Sequence, residues 1–192
     1  MQYFRAKPAS WVGASGNQLR ILRFPGECED RWPLTDGKLV SDWNPDVYAF
    51  IHQDGKDRDV VAVMNAWQVF SKRLRNLVES QDSTAVQFLP FRLRTIFGDA
   101  IHSEHYVANY LHLIDALSRE ESTVADGDWT YDVDSEAFAF LKSPVLSRNA
   151  VADAKIFRVF GAPEMVIYRA DVVEAIEAAG ISGFTFDAVP IT

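Results

Sequence analysis

The chain has 192 residues, of which 48% are hydrophobic and 12% aromatic, and it carries a formal net charge of −8 at pH 7. This composition supplies enough apolar surface for a core, which excludes a disordered chain. The negative charge disfavours nucleic acid and anionic lipid as partners and favours a basic one.

Membrane insertion, export and disulfide bonding are also not expected. No stretch approaches the roughly 18–20 apolar residues of a membrane span. The N-terminal sequence MQYFRAKPASWVG lacks the apolar centre of a signal peptide. Cys28 is the single cysteine, so no disulfide can form within the chain, and a reducing compartment fits best.

The first hundred residues are predicted to hold short strands and one helix. Residues 2–6 form an opening strand, and a turn-rich region up to residue 45 contains one short strand near residues 19–24. Apolar runs at 47–52 and 60–64 flank a polar turn at 53–56 and predict a hairpin. A helix is predicted at about 67–80 and a strand at 85–91, which should end at Pro90 or lie at a sheet edge because proline cannot donate to a ladder.

Residues 105–115 fit two interpretations. Val107, Asn109 and Leu111 alternate with their neighbours as in a strand, whereas Tyr106, Tyr110 and Leu113 also lie at helical spacing. The strand is preferred. A short apolar run at 137–141 and a connection near Pro144 and Asn149 follow.

The last part of the chain, residues 156–189, has the clearest pattern: strand, strand, helix, strand. Phe157 and Met165 begin alternating runs, and the helix from about residue 171 ends at Gly180, which can adopt the left-handed conformation. The segment at 67–88 aligns with 165–186 at a constant offset of 98 residues. This alignment predicts an internal strand–helix–strand repeat, although two amphipathic helices followed by strands can also align by chance.

These elements predict an α+β fold with a mostly antiparallel sheet and two principal amphipathic helices. Because no linker rich in Gly, Ser or Pro interrupts the sequence, one domain over residues 1–192 is expected. It comprises a turn-rich N-terminal region at 1–45, a first strand–helix–strand unit at 46–100 and a second unit at 156–190.

Two clusters invite a metal-site interpretation. His102, Glu104 and His105, with His112 further along, contain metal-ligating side chains, but the metalloprotease spacing is absent and a polar turn entering a strand is the alternative. In the acidic stretch after residue 125, the EF-hand positions that require Gly and Glu hold Tyr131 and Ala137. Because no catalytic, phosphate-binding or metal-binding motif is complete, no cofactor, metal or enzymatic activity is predicted.

The negative charge is concentrated in one segment. Between Asp115 and Glu136 there are eight acidic residues and one base, Arg119, giving this stretch a formal charge of −7. Trp129 and Tyr131 lie among the acids, as aromatic anchors do in binding surfaces with a charged rim. The alternative is that the acids keep the protein soluble while the aromatics belong to the core. The candidate partner-binding residues are Asp126, Asp128, Trp129, Asp132, Asp134 and Glu136.

A set of short motifs resembles the bacterial immunity protein 11 family, which is found beside polymorphic and contact-delivered toxins. The motifs are 71–75 (SKRLR), 86–90 (VQFLP), 106–111 (YVANYL), 115–116 with Ser122, 156–158 (IFR) and the stretch 172–186 with Gly180 and Gly183. Their order and spacing cover about residues 65–190.

The resemblance implies a cytoplasmic antitoxin that binds a cognate toxin and blocks it. The acidic charge of the chain adds the expectation that the toxin has a basic surface, which the protein occludes. It supplies no catalytic residues. It singles out four polar positions, Asn109, Asp115, Ser122 and Arg158, whose expected role is structural rather than contact with the toxin. The acidic segment is the expected contact surface, with the loops of residues 13–45 as a second region. An enzyme using His102, Glu104 and His105, and a scaffold or self-associating module, are the alternative functions.

Overall fold

The computed structural model describes residues 1–8, 21–23, 34–51, 59–62, 67–95, 101–124, 131–132, 137–138 and 141–192. These ranges contain strands and three helices, and the sheets are mostly antiparallel, so the α+β prediction is confirmed. Within these ranges no helix is long and apolar enough to cross a membrane.

One sheet has five strands in the order β15-β1-β14-β13-β8. These strands are β1 (Tyr3–Pro8), β8 (Leu113–Ile114), β13 (Ile156–Val159), β14 (Ala162–Arg169) and β15 (Phe184–Val189). All neighbours are antiparallel except β8 and β13, which are parallel. The N-terminal strand therefore lies inside the sheet formed by the C-terminal part of the chain.

The second sheet has six strands in the order β2-β3-β6-β7-β5-β4. These strands are β2 (Ile21–Arg23), β3 (Tyr48–Ile51), β4 (Val60–Ala62), β5 (Gln68–Ser71), β6 (Val86–Thr95) and β7 (Ile101–Tyr110). The hairpin predicted for residues 47–64 is wrong, because β3 pairs with β2 and β6 whereas β4 pairs with β5 near the opposite edge. The residue types at 53–56 could not reveal that each of these strands pairs with strands elsewhere in the chain.

The remaining elements are short strands and three helices. Two-stranded pairs join β9 (Thr123–Val124) to β12 (Leu141–Ser143) and β10 (Tyr131–Asp132) to β11 (Ala137–Phe138). The helices are α1 (Lys72–Gln81), α2 (Arg148–Val151) and α3 (Ala170–Ala178). Residues 105–110 belong to β7, so the strand interpretation of that stretch is confirmed over the helical one.

Helix α1 begins five residues later than predicted, because Trp67 to Ser71 are extended. The Ser71 side chain accepts a hydrogen bond from the Leu74 amide at 3.2 Å, which caps the first turn. The apolar spacing of Trp67 and Phe70 continues the helical stripe by coincidence. They lie in and beside strand β5 instead.

Strand β6 continues past Pro90 to Thr95, which corrects the prediction that the strand ends at the proline. The alternative, that Pro90 lies at a sheet edge, holds at this residue, because no strand of the described residues pairs with β6 there on the β3 side. Pro90 O accepts a hydrogen bond from Trp43 Nε1 at 2.8 Å, and the pairing of β3 with β6 begins only at Arg92. The missing proline N–H therefore faces a stretch where no neighbouring strand needs a donor.

The predicted repeat appears in the topology of the two sheets. The strand orders β4-β5-β7-β6 and β13-β14-β1-β15 have the same directions, and a helix connects β5 to β6 as it does β14 to β15. The registers also agree at the offset of 98. Val69 and Leu89 both lie opposite Val107, and their counterparts Ile167 and Asp187 both lie opposite Arg5.

Three apolar clusters form the core. The central cluster combines both principal helices with one face of each sheet, including Leu74, Ile176, Phe70 and Val166. The other face of the six-stranded sheet packs under residues 34–47, and the other face of the five-stranded sheet packs under the segments around Leu117 and Leu146. The sheets are therefore held together through the two repeated helices.

Two glycines after α3 provide a stability test with an internal control. Both have left-handed φ, +63° at Gly180 and +98° at Gly183. A Cβ at Gly183 would lie 2.8 Å from Val60 O, whereas nothing lies within 4 Å of one at Gly180. We expect Gly180→Ala to lower the free energy of unfolding by about 1 kcal/mol through backbone strain alone, and Gly183→Ala by about 2 kcal/mol or more. Urea denaturation of both variants measures this. Equal losses would mean that the β4 backbone moves away freely.

Candidate functional site

The predicted binding segment is described only in part. Asp126, Asp128, Trp129, Asp134 and Glu136 lie outside the described residues. Asp132 lies in β10, where its backbone pairs with Ala137 of β11. The site can therefore be built from the beginning of the acidic segment and from the surface that adjoins it.

The acidic segment begins directly after the edge strand β8 with residues 115–121, here called the acidic turn because they end in a turn at 119–121. Asp115 pairs with Arg119 at 3.2 Å, and Glu120 and Glu121 are exposed. The buried Ser122 hydroxyl accepts from the Val145 amide at 2.9 Å and donates to the Val145 carbonyl at 3.0 Å. Ser122 thus fixes the base of a turn whose carboxylates face solvent.

A groove of about 220 Å³ lies at the same sheet edge. It is lined by Thr35, Asp36, Lys38, Leu113, Val159, Phe160, Gly161 and Pro163. Its floor residue Leu113 belongs to β8 and precedes Asp115 by two positions. The groove therefore adjoins the acidic turn through Leu113.

One wall of the groove is the loop at residues 35–38, pressed closely against β8. Gly37 has φ +68°, and a Cβ there would lie 2.9 Å from Leu113 Cβ and 3.0 Å from Leu111 O. The buried Asn109 Nδ2 donates to Lys38 O at 2.8 Å and to Gln87 Oε1 at 2.9 Å. Gln87 also exchanges hydrogen bonds with the Val40 backbone. These hydrogen bonds fix the backbone of this wall to strands β6 and β7.

The opposite wall is the two-residue turn between β13 and β14. Gly161 has φ +72°, the left-handed conformation that glycine adopts at the second position of such a turn. The Phe160 amide donates to Ile114 O at 2.8 Å, which ties the turn to the edge strand. The Phe160 side chain is 37% exposed and forms an aromatic rim beside the groove.

Asp36 supplies the negative charge of the groove. Its side chain is 20% exposed, and its Oδ2 lies 3.4 Å from Nζ of Lys38, a side chain that is 80% exposed. Oδ1 of Asp36 is buried and has no hydrogen-bond partner among the described residues. An exposed Glu164 follows Pro163 at the rim and lies 3.6 Å from Arg5. Because Oδ1 is buried, a further donor pairs with this carboxylate through Oδ2, the oxygen that Lys38 approaches.

The histidine cluster is not assembled as a metal centre in the described part of the chain. Glu104 is exposed and pairs with Lys72 at 2.7 Å. His105 follows it on β7, where consecutive residues point to opposite faces. No group of three or more His, Cys, Asp or Glu that could hold a metal ion occurs among the residues whose placement is described.

The four polar positions of the family pattern have different surroundings. Asn109 and Ser122 are buried and hydrogen-bonded to backbone, whereas Asp115 is exposed. Arg158 is 1% exposed, and its guanidinium carbon lies 5.2 Å from the centre of the Tyr110 ring. Burial lowers the pKa of Arg158.

Sequence reasoning did not identify the groove. Its residues come from three segments that are distant in the sequence, at 35–38, at Leu113 and at 159–163. The loop at 35–38 does fall within residues 13–45, the second region predicted to contact a partner.

One protein-family model matches the chain. The family model described as "Immunity protein family (Imm11)" matches residues 23–190. This match begins about forty residues before the stretch on which the motif resemblance rested. The comparison with curated proteins found no match.

Proposed function

This chain belongs to the Imm11 immunity protein family, and we propose that it binds a cognate toxin stoichiometrically and blocks it by occlusion. The family match over residues 23–190 is the observation that carries this proposal. We place the protein in the cytoplasm of a cell that carries a polymorphic toxin system, where it protects against toxins used in interbacterial competition. The family points to a role in binding rather than catalysis.

The acidic segment supports a two-part mechanism. A stretch with a formal charge of −7 attracts a basic toxin surface over the Debye length and speeds the encounter. Contacts by Trp129 and by carboxylates at 126–136 then cover the toxin surface. Because charged rims change association rates more than final affinity, the segment should act mainly on the rate of binding.

The test is a variant with four charges removed: Asp126, Asp128, Asp132 and Asp134 all changed to asparagine. We expect its association rate with the toxin encoded by the adjacent reading frame to fall about 10-fold at low salt, with a flatter salt dependence. Stopped-flow or surface plasmon resonance at several salt concentrations measures both quantities.

A matched control removes four exposed carboxylates elsewhere, at Asp153, Glu174, Glu177 and Asp187. Both variants gain four units of charge, so net charge alone would slow both equally. The proposal requires a clearly larger effect of the acidic-segment variant. Rescue of toxin-poisoned cells without a co-purifying complex would contradict neutralisation by binding.

A further inference from the structure

We propose that the groove between residues 35–38 and the turn at Phe160 and Gly161 receives one lysine or arginine side chain of the toxin. The charged head pairs with Asp36, and the methylene stem packs on Phe160 and Leu113. This inference rests on the proposed function, and it names a contact surface beside residues 115–121 together with the toxin chemistry that it fits.

The size of the groove favours a single side chain. Its volume is about 220 Å³. Small-molecule sites are larger, at about 300–1,000 Å³. A long unbranched side chain with a charged tip matches both the volume and the mixed polar and apolar lining.

The burial of Asp36 favours a cation, although the lining also contains Lys38 and so has no net charge. Asp36 is largely withdrawn from solvent, and its neighbour Lys38 extends into water at a distance of 3.4 Å from Oδ2. Such a pair with an exposed lysine contributes little. An incoming cation that excludes water from the groove gains a stronger interaction with the same carboxylate, since the local dielectric falls. The acidic turn two residues beyond Leu113 adds attraction of the same sign.

The rim of the groove resembles an anchor point. Phe160 is 37% exposed and lines the same groove as Asp36, and aromatic side chains are enriched at the centre of protein interfaces, inside a polar rim. An arginine head can also lie over the ring face. The guanidinium or ammonium group is thus recognised by charge, and its stem by apolar contact.

Both walls are fixed before any partner arrives. Asn109 and Gln87 hold the 38–40 backbone, and the amide of Phe160 is bonded to Ile114 O. A preformed groove loses little conformational entropy on binding. Occupancy should therefore lengthen the lifetime of the complex, which separates this contact from the rate effect of the acidic segment.

The test compares two single substitutions in the full chain. We expect Asp36→Asn to raise Kd for the toxin encoded by the adjacent reading frame by about 30-fold, mostly through faster dissociation. The matched control is Asp187→Asn. Asp187 lies on β15, the opposite edge strand of the same sheet, and its exposed carboxylate pairs with Lys7. The control should change Kd less than about 2-fold.

A second variant of this protein and a scan of toxin residues distinguish loss of the groove contact from misfolding of Asp36→Asn. Phe160→Ala lies in an exposed turn and should raise Kd about 10-fold. Changing each basic toxin residue to methionine should find one position at which Asp36→Asn has no further effect. If wild-type protein forms no complex, the proposed function itself fails. The groove inference is wrong, while toxin binding stands, under two conditions. The wild-type protein binds the toxin with Asp36→Asn changing Kd no more than Asp187→Asn, and no toxin substitution removes the effect of Asp36→Asn.

Discussion

Replacing Asp59 with asparagine is expected to lower the free energy of unfolding by about 2 kcal/mol at neutral pH. Asp59 precedes β4, and its side chain is only 10% exposed. It accepts from the Ser71 hydroxyl at 2.7 Å, from Arg73 Nη2 at 2.6 Å and from the Ser182 amide at 2.9 Å. One carboxylate therefore joins the start of helix α1 to the loop that follows helix α3.

The expected size follows from the pKa of Asp59. Burial would raise this pKa, but hydrogen bonds from Arg73, the Ser182 amide and Ser71 outweigh burial and lower the pKa from 3.8 to about 2. A shift of this size corresponds to about 2 kcal/mol of stabilisation by the charged form. Alanine at the same position should cost about 3 kcal/mol, because it also leaves the Ser182 amide and the Ser71 hydroxyl without an acceptor.

The sign of the pH dependence follows from the lowered pKa. The stabilisation is fully present above the unfolded-state pKa of 3.8 and is lost as pH falls toward the folded-state pKa of about 2. The stability difference between wild type and Asp59→Asn should therefore be constant from pH 7 to about pH 4.5 and narrow below it. Urea unfolding of both proteins across this range provides the measurement.

Asp187→Asn is the control, because its exposed ion pair with Lys7 should be worth less than about 1 kcal/mol. A difference between wild type and Asp59→Asn that stays constant down to pH 2.5 would show that the charge of Asp59 does not provide the stabilisation. The loss would then come from hydrogen-bond geometry alone.

Local patterns in the sequence predicted the elements well where a side-chain period was clear. The helix around Val172 and Ile176, its end at Gly180, and the strand containing Phe184 and Phe186 all follow from spacing within a few residues. The structural repeat was also visible, because equal offsets between corresponding residues reflect equal register in the two sheets. Such signals depend on residue spacing within one short segment, or on the comparison of two such segments.

Long-range pairing was not visible in the sequence. In the first repeat, the strand between β5 and β6 is β7, which follows β6 in the chain. In the second, that place is taken by β1, more than 150 residues before β14. Nothing in the local pattern of Tyr3–Pro8 specifies its neighbours. The groove could not be predicted for the same reason, because its walls come from two segments distant in sequence, the 35–38 loop and the Phe160 turn.

Arg158 carries the second large stability prediction, because it is a buried charge with few compensating contacts. It lies on β13 opposite Val166, 1% exposed, with its guanidinium over the Tyr110 ring. Its Nε and Nη1 atoms have no hydrogen-bond partner within the described ranges. Tyr110 itself bonds to Gln68 Oε1 at 2.6 Å. The neighbouring polar groups are therefore occupied with one another rather than with the arginine.

Two substitutions at this position should have opposite effects. Arg158→Met keeps the length of the side chain and removes the desolvated charge, so the free energy of unfolding should rise by about 1–2 kcal/mol. Arg158→Ala removes the same charge but leaves a cavity between the sheets, and a net loss of about 3 kcal/mol is expected. Guanidinium chloride unfolding of both variants measures the difference.

A methionine at Ile156 separates the effect of charge from that of side-chain shape, since Ile156 is buried on the same face of the same strand. Ile156→Met should lose up to about 1 kcal/mol.

Because Arg158 is withdrawn from the surface, Arg158→Met should leave the toxin Kd within about 2-fold of wild type. If Arg158→Met instead loses as much stability as Arg158→Ala, internal water satisfies the guanidinium and the arginine stabilises the fold. If stability rises while toxin affinity falls, Arg158 shapes the adjoining groove through Val159.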